Sequence, residues 1–244
     1  MEPTTLLLLL CAAAFVVAVV VVASGFGLGT ALTPLFLLAY DIKTAVFLVA
    51  VVHFANNLFR LGLFRRHIDA SVVRRFGLLS IAGAVIGSLL QERAANPGLE
   101  IGLGALLVVL GGVEMLAGER GWRLPRRFDQ VGGLLSGLLG GLLGNQGALR
   151  SGYLLNYSLS KEAFIASGTA IACLIDASRI PVYAIQYGSR LLPAWPYLVA
   201  VIAAAFAGTL VGKRLIERLP QRGFHLLVAT LIVLTGVALI LTNL

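Results

Sequence analysis

The chain has 244 residues, of which 59% are hydrophobic and only 12% charged, with a mean hydropathy of +0.94. A soluble domain carries roughly 25% charged residues, so a soluble enzyme or nucleic-acid-binding domain is excluded, and the apolar runs lie near the ~20 residues a helix needs to cross a bilayer. The net charge of +8 is topological: the basic residues sit in short loops between apolar runs, where they bias orientation rather than attract nucleic acid. A β-barrel would show short alternating segments, and the sequence has none.

Leu6 to Ala23 reads as a membrane helix. Met1-Glu2-Pro3 lacks the Lys or Arg of a signal-peptide n-region, so the segment is read as retained. Cys11 lies within it and, like Cys173 later, reads as a small buried hydrophobe rather than a disulfide partner. The stretch Ser24-Gly25-Phe26-Gly27-Leu28-Gly29-Thr30 then breaks the apolar run. Glycine lets the backbone turn and leaves no side chain between it and a ligand. A second apolar piece, Ala31 to Ala39, carries Pro34 near its start. The glycine pattern superficially suggests a nucleotide loop, but no strand precedes it and no βαβ unit holds it.

Lys43 to about Leu63 is a full span carrying His53, Asn56, Asn57 and Arg60. These four fall at i, i+3/i+4 and i+7 and so share one helix face. His53 lies about ten residues in, roughly 15 Å deep at 1.5 Å per residue, and intramembrane polar residues point by default to a transport pathway. Arg60 lies nearer the inner end and reads as an anchor that snorkels to the interface. A basic loop follows, then spans at Ser71 to Leu90 and Ile101 to Ala117. Gly83 and Gly87, four apart, mark a close helix contact. The hydrophilic stretch Glu119 to Asp129 is the best boundary between two halves, dividing the chain into residues 1–118, a linker at 119–130, and 131–244.

The second half repeats the plan. A glycine-rich run from Val131 to Leu143 ends in a second break, Gly144-Asn145-Gln146-Gly147, followed by a short piece from Ala148 to Leu159 with Arg150 in its first turn. Lys161 to Tyr183 spans with Asp176 and Arg179 inside it, and Leu191 to Gly212 and Gly223 to Leu241 span again. Lys43-Thr44-Ala45 matches Lys161-Glu162-Ala163, an offset of 161 − 43 = 118 that also sets Gly29 on Gly147. Gly83 matches Gly208 at 208 − 83 = 125, and Gly111 matches Gly236 at the same offset. The basic loop falls between the first and second full spans of one half and between the second and third of the other. Under the positive-inside rule that swap indicates inverted repeats. The expected fold is therefore an all-α polytopic membrane protein of two inverted repeats, each a broken or re-entrant helix hairpin plus three transmembrane helices. A rival topology has each broken segment cross fully, which the length of Leu6 to Ala23 allows.

Non-helical backbone at membrane depth is tolerated only when buried in protein or lining a cavity. Each break leaves a half-helix N-terminus, near Thr30 and Ala148, and such ends favour anions. Two converging from opposite leaflets would form an anion site at the midplane. Arg150 stands where a cation is unfavourable on dipole grounds, a conflict that an anionic ligand or a carboxylate relieves. The expected substrate-binding set is Gly25, Gly27, Gly29, Thr30, His53, Asn56, Asn57, Asn145, Gln146, Gly147, Arg150 and Asp176. Asp176 and Arg179, three apart, are placed to pair with each other; Asp176 is otherwise a proton carrier or the partner of Arg150. His53, His67 and His225 are too far apart for metal-ligand spacing, and neither an enzyme signature nor a cofactor is expected.

A glycine-rich break followed by Pro34, a Lys-x-Ala span start, a short basic loop and a second copy after a linker resemble the TauE/SafE family of bacterial sulfite and organosulfonate exporters. The resemblance covers essentially the whole chain. It implies a small oxyanion of sulfur as substrate, moved across the bacterial inner membrane, and carries Gly25, Gly27, Gly29, Pro34, Gly144 and Gly147 as motif positions. The second copy departs from the pattern: Asn145 and Gln146 stand where glycines are expected, Arg150 is added, and Gly152 replaces the matching proline. The expected partners are thus a small anion, the lipid bilayer and a coupling proton or cation, with no nucleic acid; a homo-oligomer is left open. Two rival readings remain, a carrier for a cation or neutral metabolite that uses His53, Asn56, Asn57 and Asp176, and a non-transporting membrane scaffold.

Overall fold

The computed structural model describes residues 3–24, 28–37, 39–94, 97–117, 125–144 and 146–242. Among these residues the fold is all-helical: α1 Pro3–Ser24, α2 Leu28–Phe36, α3 Ile42–Phe64, α4 Ala70–Ala94, α5 Pro97–Ala117, α6 Asp129–Leu143, α7 Gly147–Leu155, α8 Lys161–Tyr187, α9 Leu191–Arg218 and α10 Gln221–Leu241. Six helices are long and apolar enough to cross a membrane: Thr4–Val22, Lys43–His67, Ala70–Gln91, Lys161–Tyr187, Pro193–Arg218 and Gln221–Leu241. Residues 101–117, expected to be a full span, lie within α5, a helix of 21 residues, and α1 is itself long and apolar enough to cross. The short pieces after the breaks are α2 and α7, nine residues each. The second ends at Leu155 rather than Leu159, where Asn156 and Tyr157 turn back onto the last helical carbonyls.

Five of these helices, α1 to α5, precede the expected boundary and five, α6 to α10, follow it, and the packing pairs helices across it. α1 lies along α9 and α6 along α4, so the first helix of each half packs on the fourth of the other; α3 faces α8 and α5 faces α10. Glycines fix the registers. A Cβ on Gly83 would overlap the Leu134 carbonyl, and one on Gly208 would overlap that of Phe15. Leu134 and Phe15 are 134 − 15 = 119 residues apart, within one residue of the 118 read from the sequence. Gly104 meets Gly236 across the α5–α10 contact while Gly111 meets Ala229. The offset of 125 converts one contact into the other. Along this contact, rising numbers in α5 meet falling numbers in α10, so these equivalent helices run antiparallel. The same holds for α3 and α8, where His53 meets Asp176 and Arg60 meets Thr169.

The close backbone approach has a physical reason. Between apolar helices in lipid, association rests on packing and hydrogen bonding, which favours small residues at the contact. Gly133, Gly137 and Gly141 on α6 lie against the α4 backbone at Phe76, Ser80 and Ala84.

The second break is formed by Gly144, whose φ of 72° is left-handed. It closes α6 with its N–H on the Gly140 carbonyl at 3.1 Å, a glycine C-terminal cap. The two breaks touch: a Cβ on Gly29 would stand 2.8 Å from the Gly144 carbonyl oxygen. Both ends of the second hairpin also meet, since Tyr153 near the end of α7 donates to Asp129 at the start of α6 at 3.0 Å. The long helices that frame these hairpins begin with side-chain caps: Asp41 accepts from Thr44 N–H, and Ser160 from Ala163 N–H, each satisfying an N–H that the helix itself cannot.

Candidate functional site

Asp176 is the hub of a polar cluster in the middle of the bundle. Its Oδ2 lies 2.5 Å from His53 Nδ1. The Asn57 amide donates to the same oxygen at 3.4 Å and sits 3.1 and 3.2 Å from the two His53 ring nitrogens. Oδ1 accepts from the Gln146 amide at 3.0 Å, from Arg179 Nε at 3.0 Å, and pairs with Arg179 Nη2 at 2.9 Å. Gln146 immediately precedes α7, so one carboxylate ties the hairpin tip to both α3 and α8.

Arg179 also closes the other side of the break. Its Nη1 donates to the Gly140 carbonyl at 2.7 Å, and the Tyr183 hydroxyl donates to that of Gly141 at 2.6 Å. These are two of the final carbonyls of α6, which have no partner within the helix and no water to turn to in a bilayer core. A guanidinium there also complements the negative end of the helix dipole. Ser136 completes the tip by donating to the Gln146 carbonyl at 3.2 Å.

Arg60 and Arg150 lie one helical turn or more away, at residues 168 and 169 of α8. Arg60 Nε donates to the Thr169 hydroxyl at 2.8 Å, and its Nη1 donates to the Val21 carbonyl near the end of α1 at 3.2 Å. Arg150 Nε passes 3.6 Å from where a Cβ on Gly168 would stand. Arg60 therefore does not snorkel: it is 0% exposed, because α1 and α8 close over it and supply its acceptors. Asn56 turns aside from the hub and accepts from Thr209 on α9 at 2.8 Å.

The charges do not balance. Arg60, Arg150, Arg179, Asp176 and His53 are all at most 1% exposed, so among the described residues three guanidiniums share the mid-bundle with a single carboxylate. Withdrawing an ion from water costs several kcal/mol unless it is compensated. A cationic excess in this setting fits a transported or bound anion.

The site is also unequal between the halves. With the offset of 118, Gln146, Arg150, Asp176 and Arg179 correspond to Leu28, Leu32, Leu58 and Leu61. Leu28 and Leu32 are fully buried. The first hairpin thus contributes apolar walls and backbone, and the second contributes the charged and amide side chains.

A cavity of about 380 Å³ opens where the ends of the second hairpin meet the basic loops, lined by Asp69, Arg126, Asn156, Tyr157 and Ser158 among others. The Arg126 guanidinium lies 5.8 Å over the Tyr157 ring. Burial, together with the neighbouring Asp129 carboxylate, pushes the Tyr157 phenol above its ordinary range. Asp69 donates its N–H to the Ser167 hydroxyl at 2.9 Å, one residue from Gly168, so the cavity lies beside the turn of α8 that Arg60 and Arg150 occupy.

Of the expected site residues, the structure brings His53, Asn57, Gln146 and Asp176 into one hydrogen-bonded cluster. Gly29 is at the contact between the breaks, and Gly147 begins α7 with Arg150 in its first turn. Asn56 is buried on an adjoining contact. Gly25, Gly27 and Asn145 lie outside the described residues, as does the side chain of Thr30. Thr169, Tyr183 and Ser136 escaped the sequence reading. Thr169 could have been found as the residue one heptad before Asp176 on the same face, and Tyr183 as the residue four after Arg179.

No similar curated protein and no similar solved structure was found. The family model for the sulfite exporter TauE/SafE matches residues 10–239, nearly the whole chain. That family consists of membrane transporters rather than enzymes, in keeping with the six long apolar helices. The chain is a multi-pass membrane protein that belongs to the TauE/SafE sulfite exporter family.

Proposed function

We propose that this protein is a secondary transporter of a small sulfur oxyanion, sulfite or an organosulfonate, in the bacterial inner membrane. The anion binds in the mid-bundle, where the two breaks meet, against Arg150 and the start of α7. The observation that carries this reading is the charge imbalance: among the described residues, three buried guanidiniums, Arg60, Arg150 and Arg179, share the mid-bundle with the Asp176 carboxylate, while the other buried carboxylate, Asp129, lies at the start of α6. The antiparallel run of equivalent helices, α3 with α8 and α5 with α10, supports inverted repeats whose halves rock around a fixed site. The meeting of both ends of the second hairpin supports a re-entrant segment that enters and leaves on one side.

In this reading the His53–Asp176 pair is the coupling site. It joins the equivalent helices α3 and α8 and, through Gln146, the hairpin tip. A proton taken up there changes the charge of the hub while the anion occupies the guanidiniums. A cation carrier is disfavoured because the mid-bundle carboxylate, Asp176, is already held by Arg179, Gln146, Asn57 and His53.

Competition in proteoliposomes tests the proposal. Sulfite flux should be inhibited by other small oxyanions, insensitive to added monovalent cations at constant pH, and greatly reduced in Arg150→Ala. Flux that Arg150→Ala leaves unchanged removes Arg150 from the site.

A further inference from the structure

We propose that Arg60 is a substrate-coordinating residue that forms, with Arg150, a two-guanidinium seat for a doubly charged oxyanion against residues 168 and 169 of α8. The proposal rests on the anion-transport reading above and specifies which charge state of the anion the site selects.

Arg60 is fully buried and makes only two hydrogen bonds, to Thr169 and to the Val21 carbonyl; its Nη2 has no partner among the described residues. One turn earlier on the same helix face, the Asn56 amide nitrogen is likewise buried and unpartnered. Buried polar groups are ordinarily hydrogen-bonded. Two donors so placed call for an acceptor that the protein does not supply, and an oxyanion is rich in acceptors.

Placement gives the second argument. Arg60 is bonded to Thr169, and Arg150 passes beside Gly168, so two cations converge on consecutive residues of one helix. The Arg150 charge acts on Arg60, and the Asp176 charge acts on Arg150. Among the described residues no carboxylate bonds Arg60. Two like charges at mid-bundle repel strongly where the dielectric is low, and an anion between them reverses the sign of that interaction. Arg179 and Asp176 compensate one another at 2.9 Å, and two converging guanidiniums suit a dianion better than a monoanion. A guanidinium presents a planar fork of donors suited to oxyanion recognition. Asp69, which lines the polar cavity at the hairpin ends, donates its N–H to Ser167, the residue before Gly168.

The test is equilibrium binding of sulfite and of methanesulfonate to the purified full-length protein in alkaline buffer, where sulfite is the dianion and methanesulfonate the monoanion. Wild type should prefer sulfite. Arg60→Gln should weaken sulfite binding by about tenfold or more, the scale of one lost charge-assisted hydrogen bond, while changing methanesulfonate binding much less. Arg60→Lys, which keeps the charge and loses the fork, should fall between, and it serves as the readout if Arg60→Gln does not fold. Sulfite binding unchanged in both variants overturns the seat and leaves the anion reading standing. Equal weakening of both ligands, with a lowered melting temperature of the ligand-free protein, also overturns it, because it marks Arg60 as a structural tie between α1 and α8. A wild type that binds neither anion overturns the transport reading itself.

Discussion

His53 and Asp176 stand 123 residues apart in the chain and 2.5 Å apart in the structure. The contact crosses between the two halves, joining helices that occupy the same position in each. Asp176 also holds Gln146 at the tip of the second hairpin, so any event that alters this carboxylate reaches both halves and the hairpin at once.

Asp176→Asn preserves the shape of the hub and removes its ability to take up a proton. Because intramembrane ionisable groups of this kind serve as proton relays, the variant should lose pH-gradient-driven accumulation of sulfite by about tenfold or more in proteoliposomes. Sulfite exchange at equal pH should persist. Gradient-driven accumulation at the wild-type level would exclude the pair as the coupling site.

Arg179 compensates Asp176 and caps the end of α6. Its removal in Arg179→Leu leaves a buried carboxylate without its guanidinium, which should destabilise the protein by about 3–5 kcal/mol, read as a lowered melting temperature in detergent. Combining it with Asp176→Asn should recover part of that loss, since the uncompensated charge is then gone. An additive double variant would contradict the assigned pairing.

The glycine contacts predict paired sensitivities. Gly83→Val on α4 and Gly208→Val on α9 each drive a side chain into a facing backbone and should each cost about 1–3 kcal/mol by overpacking. Gly62→Ala, where nothing lies within 4 Å, should be neutral or mildly stabilising. Thermal melts of the three variants check this. Tolerance at one glycine but not at its counterpart would argue against equivalent interfaces.

Re-entrance of the second hairpin makes a topological prediction. In a background lacking Cys11 and Cys173, cysteines at Arg127 and Ser158, both exposed, should react with an impermeant thiol reagent from the same side of oriented vesicles. Labelling from opposite sides would mean that α6 and α7 together cross the membrane.

Much of the architecture was legible in the sequence because local chemistry dictates it. The second glycine cluster breaks the helix where expected, and Gly144 adopts the left-handed conformation that only such a residue accepts readily. The offset of Gly83 to Gly208 reappears as matched helix contacts. Partners were less legible, because helical spacing tells which residues share a face and not what that face meets. His53, Asn56 and Asn57 were read as one group, yet Asn56 bonds Thr209 instead of the hub. Arg60 was misread for the same reason. Its distance from the helix end suggested the interface, and nothing local revealed that α1 and α8 would enclose it.

The central claim is that the buried guanidinium excess serves a small oxyanion that is moved across the membrane. Sulfite counterflow tests it most directly: proteoliposomes loaded with unlabelled sulfite are diluted into a trace of radiolabelled sulfite. Wild-type protein should drive transient accumulation of label inside, and Arg150→Gln, which removes one of the three buried guanidiniums, should abolish it. Wild-type vesicles that take up no more label than protein-free vesicles would contradict the account.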